Sequence, residues 1–153
     1  MRVLLQRVLM SSVEVDGNII GEIGGGLNIL LGVFPDDTDE DLEYLIKKIS
    51  NLRIFSDENG KMNLSLLQTG KEALVISQFT LCADTKKGNR PSYTGAADPV
   101  YAEKMYDRFY ERLAQSGVSR VAHGKFGADM KVSILNDGPV TIVMDSEVLQ
   151  NKG

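Results

Sequence analysis

The sequence predicts a strand-rich α/β fold with two main helices in a single domain. Short apolar or alternating segments are separated by turns rich in glycine and asparagine, which is typical of strands. Two longer segments instead repeat apolar residues at helical spacing and begin with helix start signals. The 153 residues can build one core and show no linker, so we expect one domain over 1–150 and a short tail over 151–153.

The first part of the chain is predicted to form strands. An Asp16-Gly17-Asn18 turn lies between two alternating segments, which indicates a hairpin. A glycine run at 24–26 then separates the hairpin from a mostly apolar segment that is typical of a central strand. The predicted strands in this part are residues 2–9, 12–15, 19–23 and 27–34.

Two amphipathic helices are predicted further along. The first begins after Thr38 as its N-cap, has acidic residues in its first turn and ends with lysines, as the helix dipole favours. The second begins with Asp98 as N-cap and Pro99 as first helical residue, and Gly117 is expected to end it. Their buried faces are predicted at Leu42, Leu45, Ile46 and Ile49, and at Ala102, Met105, Tyr106, Phe109 and Leu113.

The remaining segments are predicted to be strands and one long loop. Leu74–Leu81 reads as a strand, and residues 83–98, rich in glycine and proline, read as a surface loop. Near the end, Met130–Leu135 and Val140–Met144 read as two strands joined by a turn over residues 136–139.

Composition limits the chemistry. The chain has 17 basic and 21 acidic residues, and the net charge of −4 counts against binding long duplex nucleic acid. A short basic patch that contains Lys86, Lys87 and Arg90 could still hold an RNA end. One histidine, His123, and one cysteine, Cys82, are too few for a Cys/His zinc site. The lone cysteine and the absence of long apolar segments in the sequence predict a soluble cytoplasmic protein.

Two segments are candidates for a functional site. In the predicted strand Leu74–Leu81, Ser77 and Phe79 would point to one face, and Gln78 and Thr80 to the other. Polar residues in such a strand need partners, so the segment is either a site or a structural hydrogen-bond network. The dipeptide Gly138-Pro139 is similarly open, because glycine and proline also form hairpin turns.

Three further features have simpler interpretations. The glycines around 21–26 lack the Lys-Ser/Thr of a phosphate-binding loop, so turn geometry with positive φ is favoured. The acidic segment Asp36–Asp41 could bind a cation, but its position at a helix start accounts for it. His123 could act as a base, and a surface or packing role is favoured.

Several motifs together resemble one enzyme family. S-Q-F-T-L at Ser77–Leu81 and N-D-G-P-V-T at Asn136–Thr141 resemble the two signature motifs of D-aminoacyl-tRNA deacylases. The other matching motifs follow in the family's order and cover nearly the whole chain: L-R-I-F at Leu52–Phe55, G-K-M-N-L-S at Gly60–Ser65, A-D-T-K-K-G-N-R-P-S at Ala83–Ser92 and F-G-A-D-M at Phe126–Met130. The ordered set is far more specific than any single motif.

The resemblance implies a deacylase-type fold with barrel-like mixed sheets and a homodimeric hydrolase. Such enzymes cleave the ester between a D-amino acid, or glycine, and the 3′-terminal adenosine of tRNA, reject L-aminoacyl-tRNA, and require no cofactor or metal. Carried over to this chain, the pocket residues are Ser77, Gln78, Phe79 and Thr80. Gly138 and Pro139, joined by a cis bond and fixed by Arg7, would act as a chiral filter in the partner subunit, and Lys86, Lys87 and Arg90 would contact tRNA.

An activated aminoacyl ester needs positioning and oxyanion stabilisation more than a strong nucleophile. We therefore expect backbone N–H groups near Phe79 and Thr80 to stabilise the oxyanion, and the ribose 2′-hydroxyl to help activate water. Thr80 is expected to orient groups, although direct attack by its hydroxyl stays an alternative that would need a base. A dimeric module that only binds RNA ends and a hydrolase of other small D-amino-acid esters or amides also remain alternatives.

Overall fold

Eight strands and three helices make up residues 1–147, the part of the chain that the computed structural model describes. The predicted domain end at 150 and the tail over 151–153 lie outside these residues. The strands are β1 (Arg2–Val15), β2 (Asn18–Ile23), β3 (Gly26–Gly32), β4 (Phe55–Ser56), β5 (Met62–Leu64), β6 (Glu72–Ser77), β7 (Val121–His123) and β8 (Lys131–Asp145). The helices are α1 (Asp39–Asn51), α2 (Leu66–Thr69) and α3 (Pro99–Gln115).

The long strand β1 organises the main sheet. Along one edge, its first half pairs antiparallel with β3 and its second half with β2, while β8 pairs along the opposite edge. Beyond β3, the strands β6 and β7 are parallel. The two ends of this array meet, because a Cβ atom at Gly21 in β2 would lie 2.7 Å from the carbonyl oxygen of His123 in β7. The sheet is therefore nearly closed, which confirms the predicted barrel-like, strand-rich α/β fold.

Strand β6 separates two apolar cores because its side chains alternate between faces. Ala73 and Val75 pack with the helices α1 and α3 on the outer face of the barrel. Leu74 and Ile76 point into the barrel, where they join a smaller buried cluster with Val8, Val13 and Ile23. All predicted apolar positions of the two main helices are buried, so the helical periodicity was interpreted correctly.

The helix starts also agree with the sequence. Thr38 precedes α1, and its N–H donates to the Asp41 carboxylate at 2.8 Å. Asp98 precedes α3, and its carboxylate accepts from the N–H of Val100 at 3.0 Å and from that of Tyr101 at 3.2 Å. These contacts satisfy backbone donors that a helix leaves unpaired at its first turn.

The predicted strand Leu74–Leu81 is wrong at both ends. Strand β6 begins at Glu72 and stops at Ser77, and Phe79–Cys82 forms a 3-10 turn. The physical reason is that the neighbouring strand β3 ends at Gly32. The N–H of Gln78 makes the last hydrogen bond to β3, to the Leu31 carbonyl at 2.8 Å, and the chain then turns and packs against Gly32. The predicted alternation of faces beyond Ser77 therefore does not occur.

Other predictions about the strands were also wrong. Residues 2–15 form one strand rather than two, and residues 131–145 form one strand in which the predicted turn is a bulge. At this point Gln6 of β1 pairs with Thr141 of β8, and Val8 pairs with Asn136. Residues 137–140 of β8 therefore lie opposite the single residue Arg7 and protrude as a bulge, and the two strands pair on both sides of it. Four short elements, β4, β5, α2 and β7, were not predicted because two to four residues carry no measurable periodicity.

The glycine run at 24–26 also needs a correction. None of these glycines has the positive φ that was predicted; Gly24 and Gly25 lie between β2 and β3, and Gly26 is the first residue of β3. A Cβ atom at Gly26 would lie 1.8 Å from the carbonyl oxygen of Glu72 on the neighbouring strand. Gly26 is therefore required by close approach of two backbones and not by turn conformation.

Candidate active site

The segment from Ser77 to Thr80 leaves the sheet as a polar turn. Ser77 and Gln78 are half-buried, while Thr80 is exposed and Phe79 exposes 55% of its side-chain surface. The turn is closed by the N–H of Leu81, which donates to the Gln78 carbonyl at 3.2 Å. The structure thus brings these four predicted site residues together, but on a turn rather than on a strand.

Two backbone donors of this turn are unpaired. Phe79 and Thr80 precede the first N–H that is bonded within the turn, and neither of their N–H groups has an acceptor among the described residues. Two adjacent free N–H groups at the start of a helical turn can bind a partial negative charge. The turn therefore supplies the donors that an oxyanion site requires.

A cavity of about 590 Å³ opens beside the turn. Ser77, Gln78 and Phe79 line one side, and the segment Phe126–Met130 lines another. Tyr93 also lines the cavity, and its ring packs edge-on against the ring of Phe79 with the two ring centroids 5.1 Å apart. The cavity is within the size range of sites that bind small molecules.

The groups around the turn do not form an activated nucleophile. The Thr80 hydroxyl accepts a hydrogen bond from the Gln78 side-chain amide at 2.5 Å, and an amide cannot take its proton. Burial raises the pKa of the Cys82 thiol, so this neighbouring cysteine stays protonated. Asp129, the one carboxylate among the residues lining the cavity, is exposed and paired with Lys131 at 3.0 Å.

His123 does not line the cavity and packs against a neighbouring ring, in agreement with the surface or packing role that the sequence favoured. Its ring stacks on Tyr110 with centroids 3.9 Å apart, and Nδ1 contacts the Gly124 carbonyl at 2.7 Å. Among residues 1–147, no three His, Cys, Asp or Glu side chains cluster in a way that could hold a metal ion. In the same residues, no helix is both long enough and apolar enough to cross a membrane.

Gly138 and Pro139 are exposed on the bulge of β8, and the bond between them is cis. Arg7 supports the bulge: its Nε donates to the carbonyl of Asp137 at 3.1 Å, and its Nη1 donates to the carbonyl of Ile54 at 2.8 Å. The contact between Arg7 and the bulge is the one that the family resemblance implies.

Within one chain, the dipeptide and the cavity are far apart. Through the pairing of β1, β3 and β6, Arg7 is level with Ala73, four residues before Ser77. Four residues along a strand span about 13 Å, and three strand spacings span about 14 Å, so the two segments lie roughly 20 Å apart along the sheet. The dipeptide therefore does not line the cavity of its own chain.

The predicted RNA-binding residues Lys86, Lys87 and Arg90 are exposed on the loop over 83–98. Asp84 and Ser92 pair through reciprocal backbone hydrogen bonds of 2.8 and 2.9 Å, so the loop closes on itself at its base. The loop starts directly after the 3-10 turn, and Tyr93, Ala96 and Ala97 of its second half line the cavity, whereas Lys86, Lys87 and Arg90 do not.

Sequence reasoning assigned no role to part of the cavity wall. The segment Phe126–Met130 was noted only as a motif, and Tyr93, Ala96 and Ala97 were treated as surface loop. These residues come from segments separated along the chain, so no local pattern connects them. The F-G-A-D-M motif was the one signal that could have identified the wall.

Similar proteins are known. A solved structure described as "c-Myc DNA Unwinding Element Binding Protein" is 43% identical, covers 95% of this chain and 98% of its own, and superposes with a TM-score of 0.90. Another, described as a probable eukaryotic D-amino acid tRNA deacylase, shares the fold with a TM-score of 0.81 at 20% identity, covering 94% and 97% of the two chains. The chain therefore has the fold of this class of structures.

The family itself is shown by sequence. The model of the family described as D-Tyr-tRNA(Tyr) deacylase matches residues 4–145. A D-aminoacyl-tRNA deacylase of Persephonella marina (strain DSM 14350 / EX-H1) is 58% identical over 146 residues, which are 95% of this chain and 98% of that protein. This chain belongs to the D-Tyr-tRNA(Tyr) deacylase family, and the resemblance predicted from the ordered motifs is confirmed.

Proposed function

We propose that this chain hydrolyses the ester bond between a D-amino acid, or glycine, and the 3′-terminal adenosine of tRNA, as a cytoplasmic homodimer. The observation that carries the proposal is the cavity beside two free backbone N–H groups, those of Phe79 and Thr80. Family membership supports the same reaction.

The hydrolysis relies on positioning. The ester carbonyl lies against the 3-10 turn, and the oxygen that becomes negative in the transition state accepts from the N–H groups of Phe79 and Thr80. Water attacks the carbonyl carbon, and the bond between that carbon and the ribose 3′-oxygen then breaks. The proton lost by water passes by way of the neighbouring 2′-hydroxyl to the departing 3′-oxygen, so the products are the free amino acid and a tRNA with a 3′-hydroxyl. The Thr80 hydroxyl orients these groups, in keeping with its hydrogen bond to the Gln78 amide and the lack of a neighbouring base.

The active unit is a homodimer in which each chain completes the cavity of its partner. Gly138 and Pro139 protrude from β8, and the opposite edge of this strand from β1 is unpaired among the described residues. Exposed apolar side chains of β1 and β8 surround this surface; Leu9 exposes 57%, Leu135 51% and Val143 60%. Such a surface is typical of a protein interface. The separation of roughly 20 Å within one chain further supports a contribution in trans.

Rejection of L-amino acids follows from this arrangement. The carbonyl groups of Gly138 and Pro139 hold the α-amino group of the substrate and occupy the space that an L side chain would need. Exclusion by a clash does not depend on recognising the D side chain. Many D-amino acids and glycine are therefore accepted, and Lys86, Lys87 and Arg90 contact the tRNA.

A release assay with labelled D-Tyr-tRNA and L-Tyr-tRNA tests the proposal. The expected result is rapid release of D-tyrosine and no release of L-tyrosine above the uncatalysed rate, with glycine released from Gly-tRNA. Equal rates on the D and L substrates would disprove the chiral filter. Binding of tRNA without release would favour an RNA-binding module, and cleavage restricted to small D-amino-acid esters or amides would favour a different hydrolase.

A further inference from the structure

A second concave surface lies near the dipeptide Gly138-Pro139 and shares no lining residue with the cavity beside the turn. The last turns of α1 and the residues that follow it enclose a groove of about 790 Å³. Lys47, Lys48 and Arg53 line this groove together with neutral residues, and none of its lining residues carries a carboxylate. Three cations without an acidic neighbour in the lining are notable in a chain whose net charge is −4.

The cations of the groove are available to a ligand. Lys47 and Lys48 are exposed, and neither forms an ion pair with a described residue. Arg53 is held in place, because its Nε donates to the Asn63 carbonyl at 3.0 Å and its Nη2 donates to the Asn63 side-chain oxygen. One edge of the guanidinium is therefore fixed, while the remaining N–H groups are free to donate to phosphate oxygens.

The groove is directly connected to the dipeptide. Ile54, which lines the groove, and Asp137, which precedes the dipeptide, both accept hydrogen bonds from the guanidinium of Arg7. The two carbonyl oxygens are therefore separated by no more than the width of one guanidinium group and its two hydrogen bonds. If Gly138 and Pro139 dock against a partner subunit, the groove of the same chain lies next to that contact.

We propose that the groove, defined by Lys47, Lys48 and Arg53, binds the phosphate backbone of the tRNA acceptor stem. The inference rests on the proposed function: if the dipeptide enters the cavity of the partner subunit, this groove lies at the mouth of that cavity. A tRNA whose 3′ end occupies the cavity then passes its stem phosphates across the basic groove of the other subunit. One tRNA is thus held by both subunits, and an acidic protein gains affinity for RNA through a local patch.

The test uses the double variant Lys47→Gln/Lys48→Gln and the matched control Lys104→Gln, an exposed lysine of α3. The substrates are D-Tyr-tRNA and the D-tyrosyl ester of adenosine, which lacks the stem. We expect the double variant to raise KM for D-Tyr-tRNA about tenfold without changing kcat, since the lost contacts act on binding alone. The short ester and the Lys104→Gln control are expected to behave like wild type.

Salt dependence gives an independent readout. Each lost phosphate contact lowers the slope of log affinity against log salt concentration by about 0.9, so the double variant lowers the slope by about 1.8. Lys47→Arg/Lys48→Arg retains the charge and is expected to retain the wild-type KM.

The outcomes separate this inference from the proposed function. An unchanged KM and salt slope for D-Tyr-tRNA would overturn the groove assignment, as would an equal rise in KM for the short ester, because that result would indicate damage to the cavity. If the wild-type protein hydrolysed neither substrate, the proposed function would fail instead.

Discussion

Replacing Gly26 with alanine tests how closely β3 must approach β6, the strand that leads into the 3-10 turn over Phe79–Cys82. The added Cβ would lie 1.8 Å from the Glu72 carbonyl oxygen and 2.7 Å from the carbonyl carbon. Such atoms cannot overlap, so the two backbones must separate by more than about 1 Å. The adjacent hydrogen bond, in which the N–H of Glu72 donates to Gly25 at 3.1 Å, is expected to be lost.

The size of the effect follows from these contacts. Overpacking costs about 1–3 kcal/mol and the lost hydrogen bond about 1 kcal/mol. The lower chain entropy of the unfolded alanine variant offsets about 0.4–1 kcal/mol. We therefore expect Gly26→Ala to lower the free energy of unfolding by about 1–4 kcal/mol, and Tm by roughly 3–12 °C for a chain of this length.

Gly24→Ala is the matched control, two residues away in the same glycine run. Its Cβ would lie 3.4 Å from a side-chain oxygen of Glu72, which is an ordinary contact, so no overpacking offsets the entropy gain. Gly24→Ala is therefore expected to be as stable as wild type or more stable by up to about 1 kcal/mol. The free energy of unfolding of both variants is measured by urea titration followed by circular dichroism. The slope of that free energy against urea concentration should be the same as in wild type. Equal destabilisation of the two variants would refute close approach as the reason for glycine at position 26.

Further predictions concern the turn, the dipeptide and the strand that supports them. Thr80→Ala is expected to keep kcat within about tenfold of wild type in the release assay, because an orienting hydroxyl contributes less to catalysis than a nucleophile. A variant that binds substrate but does not hydrolyse it would instead indicate that the Thr80 hydroxyl is the nucleophile. Pro139→Ala is expected to lower the ratio of D-Tyr to L-Tyr release more than it raises KM, and an unchanged ratio would count against the chiral filter. In Tyr106→Phe, the lost hydroxyl no longer donates to Val75 at 2.8 Å or accepts from Gly124 at 3.1 Å. Its free energy of unfolding is expected to fall by about 1–2 kcal/mol in urea titrations, and no change would mean that the hydroxyl contributes nothing to the pairing of β6 and β7.

Thr80 and Cys82 show how the residue inventory and the geometry combine. The sequence contains a single histidine, His123, so a Ser-His-Asp triad would have to use it, and the structure places that histidine against Tyr110. Within residues 1–147, the only side chain bonded to the Thr80 hydroxyl is the Gln78 amide, and the nearby cysteine is buried. The chemistry that the turn offers is therefore hydrogen-bond donation by the free N–H groups of Phe79 and Thr80, and not nucleophilic attack by a side chain.

Local patterns predicted those features whose cause is local. Thr38 and Asp98 begin helices because their neighbours in sequence leave backbone donors unpaired, and the apolar positions of α1 and α3 follow helical periodicity. The turn at Asp16-Gly17 is also local: Asp16 has φ of 51° and Gly17 of 79°, values that favour this pair of residues.

Features that depend on a neighbouring strand could not be predicted in this way. Nothing near Ser77 in the sequence shows that β3 ends beside it, and that end is what turns the chain at Gln78. The bulge at Gly138 likewise results from pairing with β1, which resumes on both sides of it, so the same residues were interpreted as a hairpin turn.

The sequence alone determined the family, the positions of the two main helices and six candidate site residues within the two signature motifs, because each rests on the order and type of neighbouring residues. Tertiary structure decided what those residues can do. It placed Ser77–Thr80 on a turn with free N–H groups at a cavity, and it placed Gly138 and Pro139 on an exposed bulge three strands away in the same sheet. The physical reason is that strand ends, bulges and cavity walls are set by contacts between segments far apart in the chain, which no local pattern records.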